Sequence, residues 1–424
     1  MFAGPPISRV PVAALGLLLV GCTLTVTPPP APSSGASQTP DTTTGPAAEA
    51  CASDPFGCVE VAAGDPILIG TALTLTGPNA SLGLDSQFGA QVALNLRGPV
   101  AGHEVELVNH DDRCSSEGGT AAASLLVELD ALAAVIGTSC SSAAPPAADI
   151  LGEHGVLLLS PSNTAPHLTA EEPSRPFYAR VAPNDVAHGR AMAEFACDEL
   201  GVQTAATLHD GSAYGQALEE AFADEFASAC DGRLTERTWL DEGATPGDLL
   251  ERLATSNEGG PPELLYYPIA DAERATVTRR ARRTAGLEDT ILATIGVGED
   301  GMPAASLNDG TYVSAPLLTP SGDFYTAVFV EEYRNVSAMD EPIGAFHGQA
   351  YDATNLLLDA VEAVAIDEAG TLYIPRTGLR DMVLAADGYE GLSGAFTCRP
   401  SGDCGAATIA ISLVNDGVLE PVWP

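Results

Sequence analysis

Residues 135–164 read VIGTSCSSAAPPAADILGEHGVLLLSPSNT: an apolar strand, a hydroxyl-rich turn, a helical stretch, a second apolar strand and a second hydroxyl-rich turn. This order predicts two parallel strands joined by a helix. The carboxyl ends of parallel strands meet at one edge of a sheet, where open α/β proteins bind small ligands. A helix that begins at Ser142 would also point free backbone N–H groups toward this edge. The stretch therefore predicts a site for a small anion between the two turns.

From residue 66 onward, short apolar runs alternate with longer segments of helical periodicity. Such alternation predicts an α/β fold with a parallel sheet covered by helices on both faces. A second series of the same kind begins near residues 180–184, and long helical stretches follow it. The roughly 360 residues involved exceed most single domains. Two lobes are expected, with the ligand site in the cleft between them.

The N-terminus carries an apolar run at positions 10–20 that leads into Leu19-Val20-Gly21-Cys22. The run is too short to span a bilayer and predicts a secretory signal at residues 1–21. Its end resembles the bacterial lipobox, which implies lipidation of Cys22; a plain signal peptide is the alternative. Residues 22–65 start with a Thr-, Pro- and Ser-rich stretch that predicts a flexible tether. The chain is expected to be lipid-anchored in the bacterial cell envelope, extracytoplasmic, in the periplasm or on the outer face of the membrane.

Eight cysteines remain once Cys22 is set aside. An exported chain meets an oxidising compartment, which favours disulfides over metal ligation or catalysis. The sequence alone leaves roughly a hundred pairings open. Clustering along the chain favours four local pairs: Cys51 with Cys58, Cys114 with Cys140, Cys197 with Cys230, and Cys398 with Cys404. No CxxC or HExxH spacing supports a metal, and no cofactor is predicted.

The chain has 18 basic residues, all of them Arg, against 57 acidic residues, for a formal net charge of −39. A surface of this charge repels nucleic acid and anionic lipid headgroups. Nucleic acid is therefore excluded as a partner. The lipid anchor is the only membrane contact that the sequence predicts.

Several motifs follow one another along the chain: LTGPNASLGLDSQFGAQVALN, VIGTSCSS, LLLSPSNTAP, LHDGSAYGQAL, YDATNLLLDAV, GLSGAFTCRPSGD and NDGVLEPV. Together they resemble the type I periplasmic solute-binding proteins, specifically the branched-chain amino-acid (Leu/Ile/Val) group that serves ABC importers. The resemblance runs from about residue 66 to residue 422 and implies two Rossmann-like lobes joined by a three-strand hinge. It implies a first lobe of residues 66–182 plus 317–397 and a second lobe of residues 183–316 plus 398–424. It also supports the pairing of Cys114 with Cys140.

In this family the first lobe holds the α-carboxylate of the ligand. By position, the resemblance implies that Ser141 supplies its hydroxyl and backbone N–H and that Thr164 supplies its hydroxyl. It implies that Ser162 and Asn163 offer backbone groups. Tyr214 matches an aromatic residue of the second lobe that faces the ligand when the cleft shuts. Neutral donors beside a helix N-terminus stabilise a carboxylate without a full positive charge, by about 0.3–2 kcal/mol for the dipole.

The same side chains also have a purely structural interpretation. Ser141, Ser142 and Thr164 belong to residue types that commonly cap helices. Tyr214 follows a strand and opens a helix, so it is equally an ordinary surface aromatic. Capping and ligand binding are compatible, and both interpretations stay open at this point.

The sequence departs from the family pattern at the ammonium site. Amino-acid-binding members carry a Glu there, whereas the GVG motif places Ile295 at this position. The acidic residues nearest to it in the pattern are Asp271, Glu299 and Asp300. Leu82 stands where the first-lobe wall often has an aromatic residue. Because an unpaired ammonium binds poorly in a closed cleft, either a shifted acid pairs with it or the ligand is not an amino acid.

Enzymatic signals are weak. Residues 296–301 match GxGxxG after an apolar strand, but Pro303 follows at once and no amphipathic helix comes next, which argues against a dinucleotide site. None of the seven histidines pairs with a Ser or Cys in a known nucleophile motif. The sequence predicts no enzyme.

We expect a monomeric solute-binding lipoprotein that captures an amino acid or a similar small carboxylate by closing its cleft. Its partners are then the small-molecule ligand and an ABC permease. A lipoprotein of the same fold that senses a ligand or serves a structural role, without transport, is the alternative.

Overall fold

A computed structural model describes residues 45–170, 175–241, 245–255, 260–269, 272–295, 310–316, 322–405 and 409–423. The predicted signal, Cys22 and most of the tether lie outside these residues, as do Asp271, Glu299 and Asp300. Within the ranges given, no helix combines the length and the apolar character needed to cross a bilayer.

The first part of the chain builds a five-stranded parallel sheet in the order β3-β2-β4-β5-β6. Its elements are α1 (Pro46–Ser53), β1 (Cys58–Val61), β2 (Ile67–Leu73), α2 (Ala80–Arg97), β3 (Val105–Asp111), α3 (Ser116–Leu126), β4 (Leu132–Gly137), α4 (Ala144–Glu153), β5 (Leu157–Ser160) and β6 (Tyr178–Arg180). A 3-10 helix spans Pro166–Thr169. We call the part of the molecule built on this sheet the first lobe.

The next part builds most of a seven-stranded sheet, which we call the second lobe. Its elements are α5 (Asp185–Asp198), β7 (Thr204–His209), α6 (Ala213–Ser228), β8 (Arg233–Trp239), α7 (Pro246–Thr255), β9 (Leu264–Tyr266), α8 (Ala272–Ala281), β10 (Ile291–Ile295) and β11 (Thr311–Pro316). These strands are parallel to one another.

The remainder of the chain contributes to both lobes. It forms a π-helical turn at Tyr325–Phe329 and then α9 (Val330–Ser337), α10 (His347–Val364), β12 (Ile366–Glu368), β13 (Thr371–Pro375), α11 (Arg376–Leu384), β14 (Tyr389–Gly391), β15 (Gly394–Phe396), β16 (Ile409–Asn415) and β17 (Val418–Trp423). Strands β16 and β17 extend the second sheet beyond β11 with antiparallel pairing. The chain therefore returns to the first lobe after β11 and leaves it again before β16.

Each sheet is buried on both faces, as the continuous apolar runs predict for parallel strands. In the first lobe, β4 is buried along its whole length. Helices α2 and α10 place Leu94 and Leu357 against one face of the sheet, while α3 and α4 place Leu126 and Leu151 against the other. In the second lobe, α7 and α8 cover one face and α5 and α6 cover the opposite one. The predicted two-lobed α/β fold is confirmed.

The four predicted disulfides are all present: Cys51–Cys58, Cys114–Cys140, Cys197–Cys230 and Cys398–Cys404. The first pair ties α1 to β1, which joins a small antiparallel sheet with β13 and β12. Cys398 and Cys404 are buried in the core of the first lobe. The second-lobe segment that was predicted to begin at residue 398 therefore begins after this disulfide.

Helix α5 has a side-chain cap at its start. It begins at Asp185, where the Asn184 side chain accepts a hydrogen bond from Val186 N–H. The π-helical turn at Tyr325–Phe329 leads directly into α9.

Candidate functional site

The two hydroxyl-rich turns lie side by side at the carboxyl ends of the paired strands β4 and β5. The Ser162 hydroxyl donates to the Ser139 carbonyl over 2.9 Å, and the Ser160 hydroxyl donates to the Thr138 carbonyl over 2.9 Å. Two segments 23 residues apart in sequence are thus joined by direct hydrogen bonds. The two turns are therefore neighbours, as the parallel pairing of β4 and β5 requires.

Close packing beneath the first turn requires a glycine. Gly137 ends β4 with φ of 146°, and a Cβ atom there would lie 2.3 Å from the Ala72 carbonyl oxygen. Any larger residue would push β4 away from β2 and move the turn that follows. The position of the turn is therefore set by the sheet itself.

A buried carboxylate, Asp112, holds the first turn from below. It accepts hydrogen bonds from Ser139 N–H at 2.7 Å, from Cys114 N–H at 2.9 Å and from the Thr74 hydroxyl. Thr74 N–H in turn donates to the Ser139 hydroxyl at 2.9 Å. Desolvation raises the pKa of Asp112, and the three donors oppose that rise. Sequence reasoning missed Asp112, because it lies 27 positions from Ser139 and has no local motif around it.

The Ser142 hydroxyl does not cap helix α4. Helix α4 begins at Ala144, not at Ser142, and its N-cap residue Ala143 provides no side-chain hydrogen bond. The Ser142 hydroxyl donates instead to the Cys114 carbonyl at 3.2 Å. The Ser141 hydroxyl accepts a hydrogen bond from Ala165 N–H at 3.3 Å, which links the two turns.

Thr164 presents the most available hydroxyl of the second turn. The residue is 6% exposed, and its hydroxyl makes no hydrogen bond to any part of the chain that the structure describes. Its carbonyl accepts a hydrogen bond from Asp185 N–H at 2.9 Å, which fixes the backbone. A hydroxyl on a fixed backbone with no protein partner is a donor ready for a ligand.

The backbone groups of Ser162 and Asn163 make hydrogen bonds within the first lobe. Their N–H groups both donate to the Ser160 hydroxyl, at 3.2 and 2.9 Å. The Asn163 carbonyl accepts a hydrogen bond from Arg180 at 3.3 Å, and the residue is fully buried. Between these two residues, the Ser162 carbonyl is the backbone group without a hydrogen bond among the described residues.

Tyr214 belongs to the second lobe. It lies in the first turn of α6, whose N-cap residue Ser212 accepts a hydrogen bond from Gly215 N–H at 2.9 Å. The ring is 8% exposed and packs against Leu218 and Ile295, which are both fully buried. Ile295 therefore supports the Tyr214 ring instead of carrying a counter-charge.

The wall beside the first turn is apolar. Leu82 of α2 is 7% exposed and packs with Cys140, Ala182 and Phe346. Leu82 therefore lies against the first turn. The aromatic residue beside it is Phe346. Within the described ranges, no group of three His, Cys, Asp or Glu residues is placed to hold a metal ion.

Comparison with known proteins agrees with this geometry. A family model described as periplasmic binding protein matches residues 66–403. The chain belongs to the periplasmic binding protein family. Its members are extracytoplasmic solute-binding proteins and not enzymes.

Relatives of this periplasmic binding protein come from the group that the sequence motifs indicate. It is 29% identical over 364 residues to the Leu/Ile/Val-binding protein homolog 3 of Brucella melitensis, an alignment that covers 83% of this chain and 92% of the relative. A substrate-binding protein of an ABC transporter from Desulfitobacterium hafniense, solved in complex with Leu, is 26% identical with a TM-score of 0.68, covering 84% of this chain and 100% of the other. A leucine-binding protein from Thermotoga maritima shares the fold with a TM-score of 0.68 at 24% identity, covering 84% and 97%.

Proposed function

We propose that this periplasmic binding protein captures an amino acid or a similar small carboxylate between its lobes and delivers it to an ABC importer. The relatives named for Leu, Ile and Val binding support this class of ligand. The observation that carries the proposal is the pair of cross-linked turns at the ends of β4 and β5. The second turn includes the Thr164 hydroxyl, which has no hydrogen-bond partner among the residues that the structure describes.

The electrostatics of this edge suit a carboxylate. The hydroxyls of Ser141 and Thr164 are neutral donors, and Arg180 lies directly behind the second turn with its guanidinium on the carbonyls of Asn163 and Ala165. A hydrogen bond from a neutral donor to a charged acceptor contributes about 1.5–3 kcal/mol when the geometry is fixed in advance. The ligand carboxylate then accepts hydrogen bonds from neutral donors and makes no direct contact with the Arg180 guanidinium.

Closure of the cleft completes the site in this proposal. The first lobe supplies Ser141, the Ser162 carbonyl and Thr164, and the second lobe supplies the Tyr214 ring. A ligand gains both sets of contacts only when the lobes approach, so it favours the closed state by its differential contacts. Asp271 remains part of the proposed site as the partner of a ligand ammonium, if the ligand has one.

The proposal includes lipid anchoring at Cys22 and a Pro-, Ser- and Thr-rich tether that ends before α1. The end predicted at residue 65 is corrected, because residues 46–61 form α1 and β1, which a disulfide joins. The lipobox-like sequence that ends at Cys22 supports the anchor. A tether of this length would let the lobes move from the membrane surface to a permease while the chain stays in the cell envelope.

A thermal-unfolding panel tests the proposed function. The purified protein is heated with each of the common amino acids, their amides and small carboxylates. Leu, Ile or Val, or a carboxylate of similar size, is expected to raise the melting temperature, because a ligand at about 100 times its Kd stabilises the folded state by about 2.7 kcal/mol. No shift with any compound would contradict ligand capture and favour the structural alternative.

Replacement of the Thr164 hydroxyl should separate binding from folding. We expect Thr164→Val to weaken the panel ligand by about 10- to 100-fold, since it removes one hydrogen bond to a charged group and keeps the side-chain shape. The ligand-free melting temperature should stay close to the wild-type value, because the hydroxyl has no protein partner in the described residues. Thr255→Val, on the exposed side of α7, is the matched control. Wild-type affinity of Thr164→Val would remove this residue from the site.

A further inference from the structure

A fully buried arginine lies beneath the second turn. Arg180 is the last residue of β6 and is 0% exposed. Its Nη1 donates to the carbonyls of Asn163 at 3.3 Å and Ala165 at 2.8 Å, the two residues that flank Thr164. Its Nη2 donates to the Thr169 hydroxyl at 2.6 Å. One guanidinium therefore fixes the backbone on both sides of the Thr164 hydroxyl.

The counter-ion of Arg180 comes from the far end of the chain. Asp403 accepts from Arg180 Nε at 3.4 Å and from Nη2 at 3.3 Å. The backbone around Asp403 also runs alongside β6: Arg180 N–H donates to the Gly402 carbonyl at 2.8 Å, and Cys404 N–H donates to the Arg180 carbonyl at 2.9 Å. The pair is thus held in place by the chain on both sides.

Asp403 also contacts the segment that leads into the second lobe. The Asn184 amide donates to Asp403 Oδ2 at 2.8 Å, while its oxygen caps α5 by accepting from Val186 N–H at 3.1 Å. Residues 181–184 are the link between β6 and α5. One carboxylate therefore joins the support of the Thr164 turn to the first helix of the second lobe.

Two chain segments that connect the lobes touch each other at this point: the first is residues 181–184, and the second contains Gly405. Gly405 lies so close to the first connection that a Cβ atom there would be 2.0 Å from the Ala182 carbonyl oxygen. Asn184 and Asp403 also line an open groove of about 1230 Å³, which is bounded by residues of both lobes. The groove leaves space between the lobes beside these two connections, so a change in the angle between the lobes would meet no packed side chains there.

We propose that Arg180, Asp403 and Asn184 are positioning residues that couple ligand contact at Thr164 to the angle between the lobes. This inference rests on the proposed function. A buried ion pair is generally no more stabilising than an apolar pair of the same volume, so stability alone gives little reason for it. A change in the Thr164 turn shifts Arg180 through two carbonyls, Arg180 shifts Asp403, and Asp403 shifts the start of α5 through Asn184. Closure and ligand contact thereby favour each other.

The variant Asn184→Ser tests the coupling without removing the helix cap. Serine caps a helix as well as asparagine does, but its side chain is too short to reach Asp403. The full-length protein is titrated with the panel ligand, and small-angle X-ray scattering records the decrease in radius of gyration on binding. We expect at least about fivefold weaker binding and a smaller decrease in radius, with an unchanged ligand-free melting temperature.

Two further variants complete the test. Asn184→Asp also keeps the cap but sets a carboxylate against Asp403, so we expect a larger loss of affinity than with Asn184→Ser. Asn415→Ser removes a comparable amide–carboxylate bond, to Glu420 at 3.1 Å in the β16–β17 hairpin, and should behave as wild type. If the wild type binds and both Asn184 variants bind and compact equally well, the coupling is overturned and the proposed function stands. If the wild type binds nothing, both are overturned.

Discussion

Asp112→Ala is expected to lower the free energy of unfolding by about 3–5 kcal/mol and to weaken ligand binding at least about tenfold. The substitution leaves the N–H groups of Ser139 and Cys114 and the Thr74 hydroxyl without their acceptor in a buried region. Unsatisfied buried donors are costly, and the Ser139 turn loses the contact that fixes its height above the sheet. Urea-induced unfolding and ligand titration measure the two effects separately.

The neighbouring residue provides a matched control. Asp111 also accepts several hydrogen bonds, from Leu75 N–H at 2.9 Å, Arg113 N–H at 3.0 Å and the Thr76 hydroxyl, but it is only half-buried. None of these donors lies in the two turns. Asp111→Ala should therefore cost about 1 kcal/mol and leave the affinity unchanged. Equal losses of affinity in the two variants would show that Asp112 does not position the site.

Asp85→Ala is expected to lower the free energy of unfolding by about 3–5 kcal/mol, because it removes the acceptor for the N–H groups at the start of α10. Asp85 is fully buried on α2 and accepts from Phe346 N–H at 3.0 Å and His347 N–H at 2.8 Å, the first free N–H groups of that helix. The N-cap residue Phe346 supplies no side-chain bond of its own. The Tyr333 hydroxyl donates to the other carboxylate oxygen at 2.8 Å. A carboxylate from another helix thus caps α10 and complements its dipole.

An ordinary helix cap serves as the comparison for Asp85. Ser115 caps α3 by accepting from Gly118 N–H at 3.0 Å, and Ser115→Ala should cost about 1 kcal/mol. Tyr333→Phe, which removes a single bond to Asp85, should fall between the two variants. If Asp85→Ala costs no more than Ser115→Ala, the buried carboxylate is not what holds α10 to α2.

The local signals of the sequence were sufficient for the fold. Fully buried strands such as β4 and β5 appear as continuous apolar runs, and polar turns follow them directly, so both strands and the turns at their ends could be predicted. The four disulfides close short or moderate loops, from six to 33 residues, and clustering along the chain was therefore enough to pair them.

Short elements with few buried residues were not predicted. Helix α11 buries only Leu379 and Val383 within its nine residues, and β13 is a five-residue strand whose partner β1 lies more than 300 positions earlier. Neither has a long enough periodic pattern to be recognised in a single sequence. Their formation depends on surfaces that exist only once the first lobe has assembled.

The supporting residues of the site could not be predicted because their partners are distant in sequence. Arg180 and Asp403 are 223 positions apart, and Asp85 and His347 are 262 apart. The residues next to a single Asp or Arg in the sequence do not indicate that it has such a distant partner. The same holds for the link between the two turns, where the Ser141 hydroxyl accepts a hydrogen bond from Ala165 N–H, 24 positions away.

In the proposed site, neutral donors at the ends of β4 and β5 hold the carboxylate of the ligand. Calorimetric titration of the protein with three matched compounds measures this directly: the ligand found in the thermal panel, its carboxamide, and the same acid without its amino group. We expect the carboxamide to lose about 1.5–3 kcal/mol or more of binding free energy, whereas at least one carboxylate binds tightly. A carboxamide that binds as tightly as the acid would contradict the role of these donors.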